Sequence, residues 1–192
     1  PVIGIGVSPR LGIPVVNANN FTAGHTITEH LIRHGFREFH FFLVNRSGFP
    51  GEERERGMRT AMAEAGLQFP EDRVYRTTYA GTHAAEITQK LLDTGKLRPG
   101  SALVCVSDYL AVCASKMLLR NGFRIPDDFA VAGINGSATA ADFTPPITSF
   151  EYLPADQGRT SVRLLLEWLK KKQPPASLEL QGKTVPAQST PA

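Results

Sequence analysis

The 192-residue sequence is poor in the residues that staple or anchor a fold. It has two cysteines, Cys105 and Cys113, and no CxxC pair, which suits buried thiols in a reducing cytoplasm better than a disulfide framework. No apolar run approaches the roughly 18 residues of a membrane span. The opening stretch PVIGIGVSPRLG lacks the charged n-region and long apolar segment of a signal peptide, so a soluble, untargeted chain is expected. Charge of one sign is scarce: 21 basic against 18 acidic residues leave a net +3. The basic groups Arg33/Arg37, Arg54/Arg56/Arg59 and Lys170-Lys171-Lys172 read as solvated helix faces or helix ends rather than a nucleic-acid stripe. Motifs for common chemistries are also missing. Gly4-Ile5-Gly6 has Pro9 where a dinucleotide site needs its third glycine, and there is no GxxxxGK(S/T) phosphate loop or GxSxG elbow. His30/His34 lacks the HExxH arrangement and reads as a solvent-facing pair, and no paired carboxylates stand at strand ends for acid/base work.

What is present is ordinary globular composition, 42% hydrophobic and 20% charged, over a length that allows one domain or two small ones. Strand and helix patterns alternate. Strands are expected at Val2–Gly6, Ile13–Asn17, Glu38–Val44, Arg73–Thr77, Ala102–Val106, Phe129–Ile134 and Ile147–Tyr152. Helices are expected at Thr22–His34, Glu52–Ala65, Thr82–Asp93, Asp108–Arg120 and Asp156–Lys171, several closed by a glycine such as Gly35, Gly66 or Gly95. The last helix carries Val162, Leu165, Leu166 and Leu169 as its apolar stripe. Asn45–Gly51 reads as a loop, and the tail after Pro174-Pro175 as one or two extended segments. PVIGIG opens without Met on an apolar strand with nothing before it, which points to a piece of a longer protein. Such βαβα alternation gives an α/β fold with parallel sheets flanked by helices.

Ligands of such folds sit beyond the carboxyl ends of the strands, in the loops that lead into helices. Those loops hold a polar set. Asn17, Asn19 and Asn20 follow one strand, and helix capping accounts for one amide but hardly for three. Arg54 falls in the first turn of its expected helix, where a cation opposes the macrodipole unless paired with Glu52/Glu53 or given another task. Tyr79 is a stacking platform or an ordinary surface ring. Ser107 and Asp108 open a helix, either one as its N-cap, and Gly133–Ser137 permits close backbone approach, for a tight turn or for a ligand. Amides, a hydroxyl, one Arg, one Asp and a Tyr describe binding better than catalysis.

Several segments, in a fixed order, resemble the ligand-binding domain of the lac repressor family of bacterial transcription regulators, which has a periplasmic-binding-protein-like fold. They are Asn19-Asn20 followed by Glu29–Arg37; Arg54–Gly57 continuing to Ala65-Gly66-Leu67; Ser107–Ala111; Gly122–Asp128 running to Val131–Gly133; Pro145–Ser149; and Gln188-Ser189-Thr190. The resemblance spans nearly the whole chain. It implies two α/β subdomains joined by three crossovers around an effector cleft, with one subdomain complete and the second partial. Residues 1–18 and 152–182 would belong to the partial N-terminal subdomain, and 19–151 with 183–192 to the C-terminal one. Cleft-lining positions would be Asn19, Arg54, Tyr79, Ser107, Asp108, Asn135 and Tyr152, with no catalytic residue, metal or cofactor. Here Asn19, Ser107 and Asn135 replace the family's usual Asp, Asn and Asp, a less acidic cleft that favours a neutral or anionic effector. The implied partners are a small-molecule effector such as a sugar, a second copy in a homodimer, and operator DNA through a domain outside this chain; no membrane is involved. Two neighbouring readings share the fold: a periplasmic sugar-binding protein of a transporter, and the sensor of a xylose-type regulator with a C-terminal helix-turn-helix. A small α/β enzyme is disfavoured because no nucleophile–base set appears.

Overall fold

All six residues of Phe39–Val44 are buried, a condition met only by a strand covered on both faces. The computed structural model describes residues 1–45, 48–78 and 81–191. It builds β1 (Gly4–Ile5), β2 (Val15–Ala18), α1 (Asn20–Arg33), β3 (Phe39–Val44) and α2 (Gly48–Glu64). These are followed by β4 (Val74–Thr77), α3 (Gly81–Asp93), β5 (Ser101–Cys105), α4 (Asp108–Arg120) and β6 (Phe129–Asn135). The chain continues with α5 (Ala138–Ala141), β7 (Thr148–Glu151), α6 (Pro154–Lys171), β8 (Leu178–Leu180) and β9 (Lys183–Val185). The larger sheet has the order β4-β3-β5-β6-β7-β9, parallel except for the antiparallel edge strand β9. The smaller sheet, β1-β2-β8, is parallel throughout. This is the expected α/β architecture of parallel sheets flanked by helices.

Right-handed crossovers put α2 on one face of the larger sheet and α3 and α4 on the other; α1 packs against α2. The core between these layers is centred on Phe39, Phe41, Phe42, Phe129 and Phe150, all essentially inaccessible to solvent. Three connections pass between the sheets: β2 into α1, β7 into α6, and β8 into β9. The strand ends at these connections bring the candidate site residues near one another.

Four expectations need correction. Gly48–Gly51 is helical rather than loop, because α2 begins four residues before Glu52. A short helix, α5, forms in the loop after β6, capped by the Ser137 hydroxyl, which accepts from the Ala140 amide. The apolar stripe of α6 faces outward: Val162, Leu166 and Leu169 are about half exposed, whereas Gln157, Ser161 and Leu164 are buried. His30 is half-buried rather than solvent-facing, with Nε2 2.9 Å from the Thr190 hydroxyl.

The crossing of α1 and α2 is set by glycine. A Cβ at Gly24 would lie 1.9 Å from the Arg54 carbonyl oxygen, and one at Gly57 would lie 2.1 Å from that of Phe21. Backbone meets backbone, so neither neighbour can rotate away. Helix propensity alone would make Gly57→Ala stabilising by about 1 kcal/mol. We expect the opposite sign, a loss of about 1–3 kcal/mol from overpacking, read from the urea midpoint; a gain would show that the helices slide apart freely.

His40 lies wholly buried in β3, with Nδ1 3.0 Å from the Tyr75 hydroxyl and no partner for Nε2 among the described residues. Burial, helped by the Arg73 charge, lowers its pKa from 6.5 to about 4. The folded pKa is below the unfolded one, so stability is complete at neutral pH. It falls as the unfolded chain takes up a proton below pH 6.5, and this loss levels off below about pH 4. Between pH 7 and pH 5 His40 should account for a loss of about 2 kcal/mol. His40→Asn should remove that part of the pH dependence, and an unchanged slope in urea titrations would refute the assignment.

Candidate functional site

The amides after β2 serve the chain itself. Asn17 accepts the Gly6 amide proton at 2.9 Å and donates to the Val7 carbonyl at 2.9 Å, fixing the turn after β1. Asn19 caps α1, its Oδ1 accepting from the Thr22 amide at 2.7 Å, while its backbone N–H donates to the Leu180 carbonyl. Asn20 is buried and donates to the Ala18 carbonyl. Capping explains one amide, as expected, but the other two are engaged by neighbouring turns and by Arg54.

Arg54 is not in the first turn of its helix. With α2 starting at Gly48 it lies in the second turn, so opposition to the macrodipole is not the reason for its position. Its side chain points inward and is 8% exposed. Nε donates to Asn20 Oδ1 at 2.9 Å, and a terminal nitrogen donates to the Val106 carbonyl at 2.7 Å. The guanidinium carbon lies 6.0 Å from the centre of the Tyr152 ring. One cation thus gathers the start of α1, the end of β5 and the residue after β7. The Glu52/Glu53 network is not its setting; Glu53 pairs with Arg56 instead.

Asp108 is also turned inward. It is 1% exposed and holds the loop after β6: Oδ2 accepts the Ser137 amide proton at 2.7 Å, and Oδ1 accepts the Ser149 hydroxyl proton at 2.6 Å. The Ser149 oxygen in turn accepts the Gly136 amide proton at 3.0 Å. A Cβ at Gly133 would lie 2.5 Å from Asp108 Oδ1, so the glycine there makes room for this carboxylate. Ser107 stands at the N-cap position of α4 without a side-chain cap, and its buried Oγ has no hydrogen-bond partner among the described residues. β5 and β6 run in parallel register from Ser101↔Phe129 to Val104↔Ala132, and extending that register places Ser107 beside Asn135. Asn135 has φ 141°, a conformation that asparagine adopts only at a cost.

The structure therefore brings Arg54, Ser107, Asp108, Asn135 and Tyr152 to the carboxyl end of the larger sheet, with Asn19 at the adjacent connection; Tyr79 lies outside the described residues. Sequence reading had Asn20 and Ser137 among the strand-end loops and missed a role for Ser149 and Glu151. Glu151 is the register partner of Asn135, and its side chain packs over Gly136. The strand-end rule pointed to its neighbourhood, but an isolated Glu carries no motif. Among the described residues no cluster of His, Cys, Asp and Glu could hold a metal ion. The geometry suits a polar, largely neutral ligand met by a hydroxyl, an amide and an aromatic ring.

Replacing Arg54 with Ala should lower stability by about 2–4 kcal/mol, since Asn20 Oδ1 and the Val106 carbonyl each lose a charge-assisted donor. Chemical denaturation reads this directly, and a midpoint within error of the parent would refute the tie.

Residues 28–190 match the family model described as the periplasmic binding protein-like domain. The HTH-type transcriptional repressor PurR of Aliivibrio fischeri (strain MJ11) is 28% identical over 165 residues, which make up 86% of this chain and 48% of that protein. The chain thus spans about half the length of the curated relatives it matches. Among solved structures, the transcriptional regulator CelR–cellobiose complex aligns with TM-score 0.89 at 26% identity, over 98% of this chain and 58% of that one. The lac repressor dimer bound to operator and the anti-inducer ONPF aligns with TM-score 0.90 over 100% of this chain and 66% of that one; at 20% identity, this likeness shows the fold. The chain belongs to the periplasmic binding protein-like domain family, and its likeness there is to the ligand-binding part of lac repressor-type transcription regulators.

Proposed function

We propose that this chain is the effector-sensing and dimerisation region of a cytoplasmic bacterial transcription regulator of the lac repressor type. Residues 19–151 with 183–192 would form one wall of the cleft, and 1–18 with 152–182 part of the other. A small molecule, a sugar or related metabolite, would bind between them without being turned over. Differential contacts with the open and closed cleft would shift their populations, and with them the geometry of a homodimer and its affinity for operator DNA. That contact with DNA would run through a domain outside these residues.

The observation that carries this reading is the Ser107 hydroxyl, buried and without a hydrogen-bond partner among the described residues, at the strand ends next to the connections between the two sheets. An orphaned hydroxyl in that place costs about 1–3 kcal/mol unless something supplies its partner. The hydroxyls of a sugar, or the ring nitrogens and carbonyls of a purine, are suitable partners. Asp108 is buried and already accepts from Ser137 and Ser149, and Asn19 and Asn135 stand where the family usually has carboxylates; these two features support a neutral or anionic effector.

A thermal-shift screen of pentoses, hexoses including cellobiose, sugar acids and purines tests the reading. A ligand at about 100 times its Kd stabilises by about 2.7 kcal/mol, which is a shift of a few degrees. Ser107→Val and Asn135→Ala should each weaken that shift. A full shift retained in both variants would remove these residues from the site, and a flat response across all four classes would count against sensing.

A further inference from the structure

We propose that Asp108 is a positioning residue whose carboxylate clamps the Asn135–Ser137 loop, holding Asn135 at its positive φ without itself meeting the ligand. Both carboxylate oxygens are occupied. Oδ2 takes the Ser137 amide proton, and Oδ1 takes the Ser149 hydroxyl proton, whose oxygen takes the Gly136 amide proton. Two consecutive backbone amides just past Asn135 thus trace back to one buried carboxylate, directly or through a single hydroxyl. The geometry around it leaves no slack. Gly133 has no side chain where a Cβ would meet Oδ1 at 2.5 Å, and Gly136, at φ 63°, sits where a Cβ would lie 2.7–2.9 Å from Glu151. A non-glycine residue at φ 141° holds its conformation only if its surroundings impose it. Here the imposing contacts are the hydrogen bonds donated by the two backbone amides that follow. Asp108 also lies at the start of α4, where its charge is favoured by the helix N-terminus, so the clamp is anchored on a rigid element.

That Asn135 faces an effector rests on the reading above; the clamp itself does not, and it is tested without ligand. In Asp108→Asn the amide nitrogen faces one of the two groups now bound: facing the Ser137 amide it loses that arm, and facing the Ser149 hydroxyl it turns that hydroxyl from donor to acceptor and removes the charge that strengthens both arms. Amide hydrogen exchange at Gly136 and Ser137 should then accelerate by about tenfold or more, while Leu103 and Val131 in the strand cores stay within about twofold. Ser149→Ala should release Gly136 while sparing Ser137, and it carries the test if Asp108→Asn does not fold. Glycine occupies positive φ freely, so in an Asn135→Gly background the fall in Tm caused by Asp108→Asn should be less than half of that in the parent. Unchanged exchange at Gly136 and Ser137 would overturn the clamp. So would equal acceleration along the whole of β6, or strictly additive Tm changes, each of which marks general support of the fold. Loss of ligand response in Asp108→Asn with an intact exchange pattern would show instead that Asp108 meets the ligand. A full ligand response retained in Ser107→Val and Asn135→Ala, with exchange altered as expected in Asp108→Asn, would fail the cleft reading and leave the clamp standing.

Discussion

The backbone contact between α1 and α2 is the constraint on which the site depends. Gly24 and Gly57 let each helix reach the other's carbonyl groups, and that depth of approach carries Arg54 down to Asn20 and the Val106 carbonyl. Any side chain at either glycine would lift α2 from α1 and withdraw the guanidinium from the strand ends. A buried cation without those acceptors would be strongly unfavourable. Helix packing and site electrostatics are one arrangement here.

The strand ends are rich in polar groups, and most of them satisfy one another. Asn17, Asn19 and Asn20 fix turns and a cap; Asp108, Ser137 and Ser149 fix the loop after β6. In the proposed cleft, a wall preorganised in this way would not reorganise when a ligand arrives. The groups it would leave toward that ligand are the Ser107 hydroxyl, the Asn135 amide and the Tyr152 ring. The likeness to ligand-binding parts of transcription regulators fits a wall that recognises rather than reacts.

Fold and family were largely legible in the residues. The aromatic-rich Phe39–Val44, the glycines closing α1, α2 and α3, and the motif order from Asn19-Asn20 to Ser189-Thr190 each pointed the same way. Errors arose where local pattern competes with tertiary contact. Gly48–Gly51 looks like loop because glycine and proline break helices, yet Pro50 lies in the first turn, where no amide donor is needed. In α6 the leucine stripe is the stronger pattern, but the smaller sheet lies against Gln157, Ser161 and Leu164, and Gln157 donates to the Val16 carbonyl at 2.8 Å. Periodicity marks a face and does not say which neighbour meets it.

The sequence by itself determined the alternation of elements, the parallel sheets and the set of polar residues at the strand ends, because hydrophobic period and turn chemistry act over a few residues. Only the tertiary structure decided which of those polar residues bond to one another. Arg54 finds Asn20 and Val106, and Asp108 finds Ser137 and Ser149, across separations of 29 to 52 residues. Hydrogen bonds of that range are set by packing depth, here the reach that Gly24, Gly57 and Gly133 allow, and no local pattern records it.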